Sequence, residues 1–263
     1  MKTNTARERL RAGLPAIGTW LTMPCPITAH LLSKIGFHWL TVEMEHIPYN
    51  WETAAQCFAN IASGGTVPLA RVPWNTGENI KRALDGGAMG VVIPMVNAKA
   101  EAEAAVEFTR FHPHGQRSVG GYLHSLNHDT DPAEYFARAN DEVLLVVMAE
   151  HVKGIANIDD ILSVPGIDGV FIGPNDLLNS MGRKPSFHSD AAEFTDAVEH
   201  VRVTAKKRGV ASGIHVINPD VANHRIAEGF QFLAMGSDAG FMLSNATEAA
   251  KTLGLGPKAA AKY

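Results

Sequence analysis

The chain has 263 residues, 46% hydrophobic and 19% charged, which is enough to bury a large core and too apolar for a disordered chain. With 23 Lys and Arg against 27 Asp and Glu, its net charge of −4 lacks the basic surplus of a general nucleic-acid binder. No apolar run approaches a membrane span, the N-terminus lacks the apolar stretch of a signal peptide, and Cys25 and Cys57 cannot build a disulfide framework. A cytoplasmic globular protein is expected, with no nucleic-acid or membrane partner.

Short β-rich runs alternate with helical stretches from end to end. A strand is predicted at 16–23, a helix at 28–35 closed by Gly36, and a strand at 39–46. A helix at 53–63 then leads to a strand at 67–73, and a helix at 78–85 to a strand at 90–96. A helix at 98–111 is followed by the strand 143–150, a helix at 157–163 by the strand 169–173, and a helix at 191–208 by the strand 213–216. The series closes with a helix at 220–228, a strand at 232–236 and a helix at 246–252. The strands read as continuous apolar runs (GVVIPMV, VLLVVMAE, GVFIG), the pattern of a parallel sheet covered on both faces. Eight strands in strict alternation with helices predict a single-domain α/β fold, a (β/α)8 TIM barrel over 1–263 with an insertion around 111–140. A doubly wound sheet is the rival, but LTMPCPIT after the first strand has no Gly-rich dinucleotide turn.

Barrel active sites lie at the C-terminal ends of the strands. There the sequence places Glu43, Glu45 and His46, then Arg71, Glu150, Asp176, His215 and Asp238. Glu150 and Asp176 fall one βα unit apart, so they top adjacent strands. Side by side they repel, unless a cation such as Mg²⁺ or Mn²⁺ sits between them. The alternative is structural: Asp176 caps a helix starting at Leu177, and Glu150 pairs with Lys153. Glu43 and Glu45 beside His46 suggest an acid/base role, since a carboxylate orients and charges an imidazole. Arg71 among apolar neighbours calls for an anion, or for a buried ion pair with Glu43 or Glu45. The histidines His112, His114, His124 and His128 lack a zinc-site context and read as solvated loop residues.

The motifs GTWLTMPCPITAHLLSKIGFHWLTVEMEH, PLARVPWN, ALDGGAMGVVIPMV, PHGQRSVG, VMAEHVKGIANIDDIL and GIDGVFIGPNDL follow one another over residues 9–252. Together they resemble the HpcH/HpaI aldolases, metal-dependent class II pyruvate aldolases. The resemblance implies that Glu150 and Asp176 hold a divalent cation (Mg²⁺, Mn²⁺ or Co²⁺). It implies that Arg71 contacts the 2-oxo oxygen, that His46 transfers protons with Glu43 beside it, and that Gly173, Pro174, Asn175 and Asp176 receive the 2-oxoacid carboxylate. The reaction implied is reversible aldol cleavage and addition between a 2-oxoacid such as pyruvate and an aldehyde. The rivals are oxaloacetate decarboxylation, a macrophomate-synthase-like reaction on the same enolate, and a barrel that only binds metal and oxoacid. The resemblance also implies a homo-oligomer, a hexamer built as a trimer of dimers that exchange their last helix. The sequence departs from the family pattern at Glu43, where Asp is usual, at Met148, where Gln is common, at Arg117-Ser118-Val119-Gly120, where R-G-V-G is usual, and over 121–130.

Overall fold

The computed structural model describes residues 1–255. The eight strands are β1 (Ala16–Leu21), β2 (Trp39–Glu43), β3 (Val67–Arg71), β4 (Gly90–Ile93), β5 (Leu144–Ala149), β6 (Gly169–Ile172), β7 (Ala211–Val216) and β8 (Phe232–Ser237). Each pairs in parallel with the next, and β1 pairs with β8, so the sheet closes into a barrel. Strands β2 to β4 stop short of the predicted ends. Glu43, Arg71 and Ile93 are their last residues, and Pro73 and Pro94, which have no N–H to offer a ladder, stand in the segments that leave the sheet.

The barrel interior is filled by aromatic side chains. Trp39 stacks on Phe232 with ring centroids 4.4 Å apart, and Trp20 meets Phe171 edge-on at 5.6 Å. Gly18 makes room for this layer: a Cβ there would fall 2.1 Å from the Trp39 ring. A second, larger core lies between the strands and the surrounding helices, with Leu40, Val42, Ile93, Leu145, Val147 and Ile172 facing outward into it.

Helices α1 (Thr5–Arg11), α2 (Pro26–Ser33), α3 (Trp51–Ser63), α4 (Gly77–Asp85) and α5 (Lys99–Thr109) precede a loop and two further helices, α6 (Leu123–Asn127) and α7 (Pro132–Glu142). Then come α8 (Val152–Ala156), α9 (Ile158–Ile161), α10 (Pro174–Ser180), α11 (Ala192–Arg208), α12 (Pro219–Glu228) and α13 (Asp238–Thr252). Helices α1, α6, α7 and α8 were not predicted, and α10 entered only as the alternative in which a helix starts at Leu177. For α7 the signal was present: Asp131 caps it by accepting from Glu134 N at 2.8 Å, with Pro132 in the first turn. Helix α13 starts eight residues before the predicted 246, because Ser237 caps it by accepting from Gly240 N at 3.1 Å. His124 and His128 are buried, not solvated: α6 folds over α7 so that His124 stacks on Tyr135 at 3.9 Å.

Two clusters around buried or partly buried carboxylates tie the barrel together, one ionic and one hydrogen-bonded. At the N-terminal end, Asp168 accepts from Arg7 at 2.7 Å, from Arg110 at 3.2 Å and from Leu145 N at 2.9 Å. At the C-terminal end, Asp238 accepts from Thr22 N and Thr22 Oγ1, each at 2.7 Å, and ties β1 to the start of α13. Asp238 is thereby assigned to the scaffold.

Candidate active site

A cavity of about 650 Å³ opens at the C-terminal end of the barrel. Every strand-end residue singled out for chemistry except Glu45 and Asp238 lines it: Glu43, His46, Arg71, Glu150, Asp176 and His215, with Gly173, Pro174 and Asn175 beside them. Trp20, Met148, Phe171, Phe187, Ile217 and Phe241 contribute its apolar part.

Arg71 is the best-anchored group. Its Nε donates to Glu43 Oε2, and its Nη1 lies 3.3 Å from Glu45 Oε2 and 3.9 Å from the Met148 sulfur. Its guanidinium sits 4.9 Å from the Trp20 ring centroid. The ion pairs with Glu43 and Glu45 exist, yet Nη2 has no protein hydrogen bond among the described residues, so one edge of the fork stays available to a ligand.

Glu43 does not touch the His46 imidazole. One oxygen holds Arg71, and the other accepts the backbone N–H groups of Glu45 at 2.9 Å and His46 at 3.0 Å. The role suggested for it beside the imidazole passes to Glu45, whose Oε2 lies 3.6 Å from His46 Nε2. The reason is geometric: β2 ends at Glu43, the chain turns, and the turn's amides wrap the nearest carboxylate. His46 itself is largely exposed at the cavity mouth. Burial pushes the Glu45 carboxyl up, against the pull of Arg71 and His46.

Glu150 is buried to 2% exposure. Burial pushes its carboxyl up to about 7; the Met95 N–H bond at 2.7 Å and Arg71 oppose the rise, while Glu45 and Asp176 add to it. Met95 adopts a left-handed backbone (φ 55°), a strained conformation for a side-chain-bearing residue, in the segment that delivers this N–H. Gly173 closes the other side. A Cβ there would stand 2.6 Å from Glu150 Oε2, so only glycine leaves the carboxylate this space. Asp176 is exposed toward the cavity in the first turn of α10, which begins at Pro174, so it does not cap a helix starting at Leu177.

These residues fit a hard divalent cation. Buried Glu150 has one oxygen free of hydrogen bonds among the described residues, a second carboxylate acts on it, and both are oxygen donors. Mg²⁺ and similar hard cations accept as few as one or two protein carboxylates. Trp20, Phe171 and Phe187 are among the cavity residues that carried no signal in the sequence: Trp20 and Phe171 lie within predicted strands and Phe187 in an irregular segment between α10 and α11, whereas Met148 stood out only as a departure from the family pattern.

Comparison with known proteins identifies the family and the fold. The family model HpcH/HpaI aldolase/citrate lyase matches residues 16–245. A hydroxypyruvate/pyruvate aldolase from Rhizorhabdus wittichii is 35% identical, over 93% of this chain and 96% of the relative. A 4-hydroxy-2-oxo-heptane-1,7-dioate aldolase from Escherichia coli is 36% identical, over 94% of this chain and 93% of the relative. The structure of a family protein from Burkholderia cenocepacia superimposes with a TM-score of 0.88 at 29% identity, covering 95% of this chain and 99% of that one. The chain belongs to the HpcH/HpaI aldolase/citrate lyase family.

Proposed function

We propose that this protein is a divalent-metal-dependent carbon–carbon lyase that joins and cleaves a 2-oxoacid, pyruvate or a close analogue, and an aldehyde. One observation carries the reading: the cavity holds an anchored arginine and crowded carboxylates, and no lysine lines it among the described residues. An enamine aldolase needs such a lysine; an enolate aldolase needs charge stabilisation instead. Glu150 and Asp176 would hold the cation. When bound, it supplies positive charge to the carboxylate and 2-oxo oxygens of the substrate. The free edge of Arg71 receives the 2-oxo oxygen as negative charge develops there. The pair of Glu45 and His46 takes the proton leaving C3. The C3 carbon then bonds to the aldehyde carbon, and the aldehyde oxygen collects a proton to become the 4-hydroxyl. Cleavage runs the same steps backwards. The backbone from Gly173 to Asp176, with Pro174 and Asn175 on the lining, is the place for the substrate carboxylate.

EDTA is expected to abolish turnover, and Mg²⁺, Mn²⁺ or Co²⁺ to restore it, while borohydride with pyruvate traps nothing on the protein. A stable reduced adduct on a lysine, seen by mass spectrometry, contradicts the reading.

Glu43 acts here as a positioning residue for Arg71. Glu43→Gln would set an amide N–H₂ or lone carbonyl against Arg71 in place of a charge. A fall in kcat of roughly 10- to 10³-fold is expected. If that loss runs through Arg71, adding Glu43→Gln to Arg71→Lys costs little more than Arg71→Lys alone. Additive losses in the double-mutant cycle would separate the two residues.

The proposed assembly is a hexamer, a trimer of dimers exchanging α13, in the cytoplasm. Its support is that α13 buries only Asp238 and exposes Met242 and Leu243, while Ile27 and Leu31 on α2 and Ile35 just past its end are exposed. Light scattering on the purified chain checks the mass, and a stable monomer would refute it. No helix of the described residues is long and apolar enough to cross a membrane.

A further inference from the structure

His215 lies near the end of β7, and β7 is four strands from β3 in the closed order, so it faces Arg71 across the barrel. Two contacts fix its ring. Trp20 Nε1 donates to His215 Nδ1 at 3.2 Å, and the Phe187 ring stacks on it at 4.4 Å with planes 27° apart. A ring nitrogen that accepts carries no proton, so the proton of the neutral ring sits on Nε2. Burial first, and then the charge of Arg71, hold its pKa down to about 4, so the ring is neutral at pH 7. Nε2 has no protein acceptor among the described residues. Phe187 covers one face of the ring, and the cavity lining also includes apolar Ile217 and Phe241 and polar Ser237 and Ser244. The only other cation-forming side chains on the described lining are Arg71, already paired with Glu43 and Glu45, and His46.

We propose that His215 is a specificity-determining residue whose Nε2–H donates to a hydroxyl or oxo oxygen of the acceptor aldehyde, selecting short, uncharged, oxygenated aldehydes. An aldehyde without that oxygen leaves this donor, which has no protein acceptor among the described residues, unpaired. An aldehyde bearing a carboxylate finds no lining cation of its own, because the free edge of Arg71 is taken by the 2-oxo oxygen. The proposal rests on the aldolase reading above.

The test measures kcat/KM of the metal-loaded protein with pyruvate and each of three aldehydes: glycolaldehyde, its isostere propanal, and succinic semialdehyde. Wild type is expected to favour glycolaldehyde over both by about 10- to 100-fold, the range for leaving a buried donor unmade. His215→Leu, which keeps bulk and removes the donor, brings the glycolaldehyde-to-propanal ratio to within about threefold of unity. His215→Gln, which keeps an N–H, retains part of the preference. No preference in wild type, or the same preference in His215→Leu, overturns the proposal. Should a variant fail to fold, the ¹⁵N spectrum of the wild-type ring decides: a proton on Nε2 alone at pH 7 supports it, and a proton on Nδ1 overturns it. Failure of the aldolase reading looks different, as absent exchange of the pyruvate C3 hydrogens with D₂O when no aldehyde is present.

Discussion

Glu150→Gln is expected to stop turnover and, in the same molecule, to make the metal-free protein harder to unfold at pH 8. The two effects share one cause. Glu150 is a carboxylate held in a buried place, beside other carboxylates, where its charge is unwelcome unless a cation answers it. Glutamine keeps the size and an oxygen for the Met95 N–H, but it has no charge to give a cation. A fall in kcat of at least about 10³-fold is expected, as several kcal/mol of charge stabilisation are lost. The stability effect has a definite sign. The carboxyl is raised from 4.5 to about 7 on folding, so between those values the folded state keeps a proton that the unfolded state releases. Stability therefore falls as pH rises through that window, and the penalty is complete above about pH 7. Such a shift amounts to about 3 kcal/mol. In EDTA, the Tm of Glu150→Gln should exceed that of wild type by several degrees at pH 8, and the gap should close near pH 4.5. Equal melting at both pH values, or a gap that grows toward acid, would mean that Glu150 is charged and satisfied without metal.

Arg71→Lys is expected to lower kcat by at least about 10²-fold, the scale for loss of one oxyanion donor. Lysine keeps a positive charge between β2 and β3, so the barrel should still form. It cannot reproduce the planar fork that binds Glu43 through Nε and Glu45 through Nη1 while presenting a third nitrogen to the cavity. A lysine drawn to either carboxylate leaves nothing aimed at the 2-oxo oxygen. The loss should fall mainly on kcat and less on KM for pyruvate, because the charge that Arg71 answers develops in the transition state. Near-normal turnover would reduce Arg71 to a structural tie between two strands.

The barrel was legible because parallel strands covered on both faces are written as apolar runs with little ambiguity, LLVVMA for β5 and GVFI for β6. The rule that chemistry sits at strand ends then brought Glu43, Arg71, Glu150, Asp176 and His215 to one cavity from positions spread over 173 residues, 43 to 215. Pairing within the cavity was not legible. Alternation puts Glu43 and Glu45 on one side, but it cannot say that both reach Arg71 and only Glu45 approaches His46. That depends on where β2 ends and on which carboxylate the turn's amides wrap. Phe187 was beyond reach for another reason: the irregular segment that carries it onto His215 has no periodicity to read.

The most direct measurement follows the C3 hydrogens of pyruvate by NMR in D₂O, with Mg²⁺ and without any aldehyde. It isolates enolate formation at Arg71 and Glu150 from every question of acceptor. The wild-type protein should exchange these hydrogens, EDTA should stop the exchange, and Glu150→Gln should not restore it at any Mg²⁺ concentration. Exchange at the wild-type rate in Glu150→Gln, or in EDTA, would contradict a metal-assisted enolate at this site.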